Sequence, residues 1–381
     1  MGNTITIIFI CGSLEPGRDG VGDYTRRLAS ELILKGHRAG IIALNDHYVS
    51  VSVEGFQYSD GIEIPINRLP SVYSSQQRFK QAQIWINEFA PRWLSLQFVP
   101  FAFNSKGLPF GMGKLLASIG KGKTWHIMVH ELWVGMDREA SIKFVYWGWL
   151  QRQLIKFLFA TLKPLIIHTQ CNLYQHMLKK IGLKSQYLPL FGNIPIVSGQ
   201  TTLHNSTKNS SSNDDIISFV IFGGIHPGAP ITPFVEELKI YSNNTGKRVV
   251  LKMLGRSGAE QLHWEKAWQQ AGLTVEILGE QSPETISAVL GSSNFGLSTT
   301  PDLLIEKSGS VAAMREHGLP ILCISRSWVP RGISQMELPL GITKYKQGEV
   351  QDFIAGDQQF NYSHTISTIT DQFIQNLLSK E

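Results

Sequence analysis

Apolar residues fall along this chain in two kinds of run. Short aliphatic blocks, Thr4 to Cys11, Arg38 to Leu44, Trp93 to Val99, Trp125 to Val129 and Leu165 to Thr169, read as strands. Longer stretches repeat their apolar positions every three or four residues. Asp23 is placed to cap the first, which carries Leu28, Leu32 and Leu34 on one side and stops at Gly36. Ser71 to Phe89, Ala140 to Leu162 and Leu173 to Ile181 predict three more helices, and Gln186 to Leu190 a strand. The alternation restarts at Ile216 to Phe222, with further strands over Val249 to Leu254, Val275 to Leu278 and Phe295 to Leu297. Helices are expected between them, at Pro230 to Ser242, Ala259 to Ala271 and Pro283 to Leu290. Helix formers from Val311 are closed by Gly318 and Pro320, and Val350 to Leu378 predicts one or two terminal helices.

Strand alternating with helix predicts an α/β protein with parallel sheets. The 381 residues suit two domains. Asn193 to Asp215 is rich in Ser, Thr and Asn and has no periodicity. The expected division is therefore 1–195, a linker at 196–215, 216–348, and tail helices at 349–381.

Composition is that of a soluble globular chain, with 43% hydrophobic and 17% charged residues. Cys11, Cys171 and Cys323 are far apart, which argues against a disulfide framework or a zinc site and fits a reducing compartment. Ile5 to Ile10 is too short for a signal-peptide core and reads as a strand. No run of apolar, uncharged residues is long enough to span a bilayer; Phe144 to Ile167 comes nearest and contains Arg152, Lys156 and Lys163. Residues 1–195 hold 21 Lys and Arg against 12 Asp and Glu, whereas 196–381 hold 14 against 18. The basic half suggests an anionic partner, either a phosphorylated substrate or a membrane surface reached from the cytoplasm, or else simply a solubilising surface. The cations are scattered and no nucleic-acid motif is present, so no nucleic-acid partner is expected. The aromatics of the 140–162 helix read as core, with an interfacial anchor as the alternative.

In open parallel sheets, ligands bind outside the C-terminal strand ends. His130 and Glu131 follow one such strand, Arg256 another and Gly279 a third. Gly223-Gly224 and the Gly17, Gly20, Gly22 series follow the first strand of each half, without the G-x-G-x-x-G spacing of dinucleotide enzymes. The stretch Glu306-Lys307-Ser308-Gly309-Ser310 opens a helix. Its unpaired N–H groups and positive dipole end suit a phosphate, Lys307 adds a charge, and Glu306 suits sugar hydroxyls. A plain helix cap by Ser308 explains the same residues, and a structural histidine the same His130.

These pieces, in this order, resemble the GT-B glycosyltransferases, and most of all retaining glycosyltransferase family 4. The matching segments are Gly20-Val21-Gly22-Asp23-Tyr24, Lys35-Gly36-His37, His130, Leu188 to Pro195, Gly223-Gly224, Glu306 to Ser310 and His317 to Pro320. The resemblance implies two Rossmann-like domains facing across a cleft. It implies transfer, with retention, of a sugar, a hexose above all, from a nucleotide diphosphate sugar to a glycan, lipid-linked or small-molecule acceptor, as in polysaccharide biosynthesis. It implies no obligatory metal or other cofactor. His130 and Glu306 are then the catalytic candidates. Gly20, Gly22, Gly224, Arg256, Gly279, Lys307, Ser308, Gly309 and Ser310 are the donor-binding ones. The chain departs from the family where a second glutamate, eight residues after Glu306, is replaced by Met314. Glu316 is the nearby carboxylate that would stand in. A non-catalytic nucleotide-sugar-binding protein is the alternative, and a dinucleotide-dependent oxidoreductase a weaker one.

Overall fold

The structure is a computed structural model and describes residues 4–197, 215–333, 336–356, 360 and 362–380. The polar stretch expected as a linker falls, over 198–214, outside the described residues. The chain forms two compact units, one of residues 1–189 and 366–381, the other of 190–365.

The first unit runs β1 (Thr6–Cys11), α1 (Gly20–Leu34), β2 (Arg38–Asp46), β3 (Val53–Ser59), β4 (Ile62–Pro70), α2 (Ser75–Phe89) and β5 (Trp93–Phe98). It continues with α3 (Pro100–Phe103), α4 (Met112–Ile119), β6 (Thr124–Val129), α5 (Ile142–Leu162), β7 (Ile166–Thr169), α6 (Asn172–Lys180) and β8 (Gln186–Tyr187). Its eight strands stand in the order β3-β4-β2-β1-β5-β6-β7-β8. All neighbours are parallel except β3 and β4. These form a hairpin whose Asp60 and Gly61 have φ of 50° and 78°, the left-handed pair a tight two-residue turn demands.

The second unit runs β9 (Ile216–Phe222), α7 (Ile231–Thr245), β10 (Arg248–Leu254), α8 (Gln261–Gln270), β11 (Thr274–Gly279) and α9 (Pro283–Gly291). It closes with β12 (Phe295–Ser298), α10 (Gly309–Glu316), β13 (Ile321–Cys323), β14 (Ile342–Lys344) and α11 (Val350–Ala355). Its sheet is wholly parallel, in the order β11-β10-β9-β12-β13-β14. Both faces are covered, as the alternation along β9 requires. Phe219 and Ile221 pack with Phe234, Trp264 and Trp268 on one side, while Val220 joins Leu290, Ala313 and Met314 on the other. Each large side chain so buried contributes roughly 1.5–3 kcal/mol.

The tail divides: α11 counts with the second unit, and α12 (Ile366–Leu378) with the first. On the first unit α12 buries Ile369, Phe373 and Leu377, and Lys35 on α1 binds its Asp371 at 2.8 Å.

Three sequence expectations shift. Helix α1 starts before Asp23, because Asp19 caps it through the N–H groups of Val21 and Gly22. Helix α2 starts after Ser74, which forms a reciprocal capping box with Gln77. The aromatics of α5 are not core. Its buried stripe is Gly148, Gln151, Ile155, Leu158, Phe159 and Leu162, and of the six aromatics only Phe159 lies on it.

Candidate functional site

In the second unit the strand order reverses between β9 and β12, and the strand C-termini at such a reversal are where open parallel sheets bind ligands. After β9 the backbone turns through Gly223 at φ 81°. A Cβ on Gly223 would stand 2.8 Å from Ser310 Oγ, so the missing side chain lets this turn approach the start of α10. At Gly224 a Cβ would meet nothing within 4 Å, so that position faces open space. The turn is pinned from both neighbours: His226 N–H donates to Thr299 Oγ1 at 2.8 Å, and Ile225 N–H to Ser257 O at 3.1 Å.

Beyond β12 a 3-10 turn spans Asp302–Lys307, and Ser308 then caps α10, its Oγ accepting from Val311 N–H at 3.4 Å. The cap takes the Val311 N–H, which leaves the first N–H groups of α10, at Gly309 and Ser310, at the positive end of the helix. Glu306, Lys307, Gly309 and Ser310 are all half-buried. His226 is held below the usual imidazole range, first by burial and then by the charges of Lys307 and Arg326. Two cationic side chains, Lys307 and Arg326, thus stand near a neutral imidazole at the turn. Arg326, which follows β13, was missed in the sequence. The strand-terminus rule that singled out Arg256 would have found it had Ile321–Cys323 been read as a strand.

The other donor candidates are placed differently. Arg256 is paired with Glu280, and both are exposed. Gly279 ends β11 at φ 64°, and its carbonyl accepts from Gly255 N–H at 2.7 Å. Glu316 is engaged: its Oε1 accepts from Gly192 N–H at 2.9 Å, so it does not stand in for the absent second glutamate. Met314, at that glutamate's position, is buried in the core behind the helix. Burial pushes the Cys323 thiol up to about 11, which makes it no nucleophile. Among the described residues no three His, Cys, Asp or Glu side chains group closely enough to hold a metal ion.

In the first unit the expected glycine loop is the first turn of α1. A Cβ on Gly22 would lie 2.6 Å from Ser13 O, so this glycine serves close packing, while Gly20 faces open space. Asp19 occupies the N–H groups of Val21 and Gly22, and Asp23 pairs with Arg26. A polyphosphate there would meet two carboxylates and no unoccupied N–H on Val21 or Gly22. Asp46, at the end of β2, is wholly buried. Burial alone would push its carboxyl up, but Arg68 at 2.7 Å and the N–H groups of Tyr48 and Leu14 outweigh that and hold it low. Its carboxylate is a structural clamp on these groups.

His130 follows β6 and is 6% exposed. Its Nε2 meets Gln97 Oε1 at 2.9 Å, its Nδ1 meets Gln170 Oε1 at 3.2 Å, and Tyr24 packs edge-on 5.0 Å away. Both ring nitrogens are engaged, which is the arrangement of a core histidine. It ends a buried polar ladder on one face of β5, β6 and β7. Gln97 Nε2 donates to Ser95 Oγ, which meets His126 Nδ1 at 2.7 Å, and His126 Nε2 meets His168 Nδ1 at 3.0 Å. His168 Nε2 closes the ladder on Gln186 and on Asn376 of α12.

The two doubly wound sheets define a class: the fold is that of the GT-B glycosyltransferases. The chain matches no protein-family profile and no curated protein. Among solved structures it is similar to Anabaena Alr3699/HepE in complex with UDP and glucose, with 13% identity, TM-score 0.61, and 98% of this chain and 100% of that one covered. It is similar to the lipopolysaccharide outer core galactosyltransferase WaaB, with 14% identity, TM-score 0.57, and 99% and 100% covered. It is also similar to a UDP-N-acetylglucosamine 2-epimerase, with 9% identity, TM-score 0.51, and 99% and 96% covered. At these identities the likeness is one of fold.

Proposed function

We propose that this chain transfers a glycosyl group, a hexose with retention, from a nucleotide diphosphate sugar to a glycan or lipid-linked acceptor. The observation that carries this reading is the convergence of the α10 N-terminus, Lys307, His226 and Arg326 at the reversal point of the second sheet. When the bond from sugar to diphosphate breaks, negative charge grows on the leaving oxygen and positive character on the anomeric carbon. Fixed donors and cations aimed at the diphosphate lower that barrier, because they are already oriented when the charge appears. In this reading Lys307 and Arg326 face the diphosphate, with the Gly309 and Ser310 N–H groups completing the cradle. Glu306 accepts from sugar hydroxyls. Gly224 leaves room for the ligand, and Arg256 joins when Glu280 releases it. Support comes from the fold shared with a protein solved with UDP and glucose and with a galactosyltransferase. No step in this scheme needs a metal.

A thermal-shift screen against a panel of nucleotide sugars, followed by an assay for nucleoside diphosphate release, tests the reading. Stabilisation together with release supports it. No stabilisation by any donor refutes it. Met314 in place of a ribose-facing carboxylate favours a second reading, a nucleotide-sugar-binding protein without turnover. Tight binding with no release on any acceptor would select that one.

A further inference from the structure

The two faces of α5 are made of different material. Its outward stripe repeats at helical spacing through Ile142, Tyr146, Trp149, Lys156 and Lys163, all exposed, with Phe144 and Phe157 alongside. Tyr146 is 66% exposed, Trp149 44% and Phe157 48%. Tyr146 and Trp149 stack with ring centroids 5.6 Å apart. Beside Phe157 a small, shallow recess lies between α5 and the 98–113 segment, lined by Pro109, Met112, Leu154 and Leu158 among others. That segment adds exposed Phe101 and Phe110. Trp147 Nε1 ties it to α5 by donating to Lys106 O at 3.0 Å. An exposed apolar patch of this kind marks a docking surface.

The charge along the patch is positive, with exposed Glu139 only at its edge, just before α5. Lys143, Lys156 and Lys163 of α5 and Lys106 and Lys114 opposite are all exposed. Between Glu88 and Glu131, and again between Glu139 and Asp214, the chain has no acidic residue. A second copy of the same face would set cations against cations. Among the described residues no helix is long and apolar enough to cross a membrane. What matches is the surface of an anionic bilayer: apolar rings enter the acyl boundary, Tyr and Trp sit at headgroup level, and lysines reach out to phosphates.

We propose that the outer face of α5, with the adjoining 98–114 segment, docks on anionic lipid bilayers and lies along them. This does not depend on the glycosyl-transfer reading, and its test uses no donor. The full chain is sedimented with vesicles of equal parts phosphatidylglycerol and phosphatidylcholine, and with pure phosphatidylcholine. Two variants accompany it, Tyr146→Ser/Trp149→Ser and Lys143→Glu/Lys156→Glu. Their side chains are exposed, so unchanged melting is expected. The parent chain binds the anionic vesicles and loses affinity in high salt. Each variant binds them about tenfold more weakly or worse, the charge variant through lost attraction and the aromatic one through lost burial. Failure of the parent to bind, or binding by the aromatic variant equal to the parent, overturns the proposal. So does a dimer in sedimentation velocity that the aromatic variant dissolves, which would assign the face to a second copy.

Discussion

Acid should weaken the first unit through the histidines of its buried ladder. Burial pushes His168 down to about 4 from its ordinary 6.5, and it pushes His126 well down too, helped by its two histidine neighbours. Both rings are therefore neutral in the folded protein at pH values where the unfolded chain has taken up protons. Stability is full above about pH 6.5, falls as pH drops from there, and levels for His168 only below its folded value. For His168 alone, the loss between pH 7 and pH 5 is about 2 kcal/mol, and at pH 4 it reaches about 3 kcal/mol, from a gap of about 2.5 pH units at 1.36 kcal/mol each. Against a typical total of roughly 5–15 kcal/mol, that is a large fraction. His37, His226, His317 and His364 are also held below the usual imidazole range, chiefly by burial, and add to the same acid loss, so the parent slope alone is not diagnostic. The diagnostic quantity is the difference made by His168→Gln. Because α12 touches His168 through Asn376 and Phe373, amide exchange in β6, β7 and α12 is the local readout. Protection there should fall between pH 7 and pH 5 in the parent, after correction for intrinsic exchange, and less in the variant, which keeps the His126 contribution but loses that of His168. Equal falls in both proteins would refute the reasoning.

Three further outcomes follow from the geometry. His130→Ala leaves the Gln97 and Gln170 amides without their buried partner and should cost about 1–3 kcal/mol in chemical unfolding; loss of activity with unchanged stability would instead return the histidine to catalysis. Gly22→Ala drives a Cβ to within 2.6 Å of Ser13 O and should lower the melting temperature by several degrees, whereas Gly20→Ala, facing open space, should not. Burial first, and then the Lys307 and Arg326 charges, hold His226 low; a diphosphate offsets those charges, so donor binding should raise its pKa. Calorimetry near neutral pH in buffers of different ionisation enthalpy should then show proton uptake, and affinity that rises as pH falls; no proton linkage would take His226 out of the site.

Much of the second unit could be read from sequence because its strands are short, apolar and followed at once by small or charged residues. The strand, turn, Ser308 cap and Gly318 stop were all written locally. The start of α1 was not. Its cap is Asp19, but Gly20 and Gly22 follow, and the close packing of Gly22 on Ser13 O is a contact no local pattern announces. The β3–β4 hairpin passed unread despite the Asp60-Gly61 signal between alternating runs. Helix α5 is where the sequence expects it, but it is apolar on nearly every side, so periodicity does not say which stripe faces the sheet and its aromatics read as core. Arg326 and Glu316 depended on contacts distant in sequence: one follows a three-residue strand, and the other reaches a backbone amide at Gly192.

The central claim is that the start of α10 holds the diphosphate of an activated sugar. A structure of the chain bound to the nucleotide sugar that stabilises it most tests this directly. The account predicts diphosphate oxygens within hydrogen-bond reach of the Gly309 and Ser310 N–H groups and of Lys307 Nζ, and Lys307→Ala slower by about a hundredfold to a thousandfold. A diphosphate bound elsewhere, or Lys307→Ala at full rate, would contradict it.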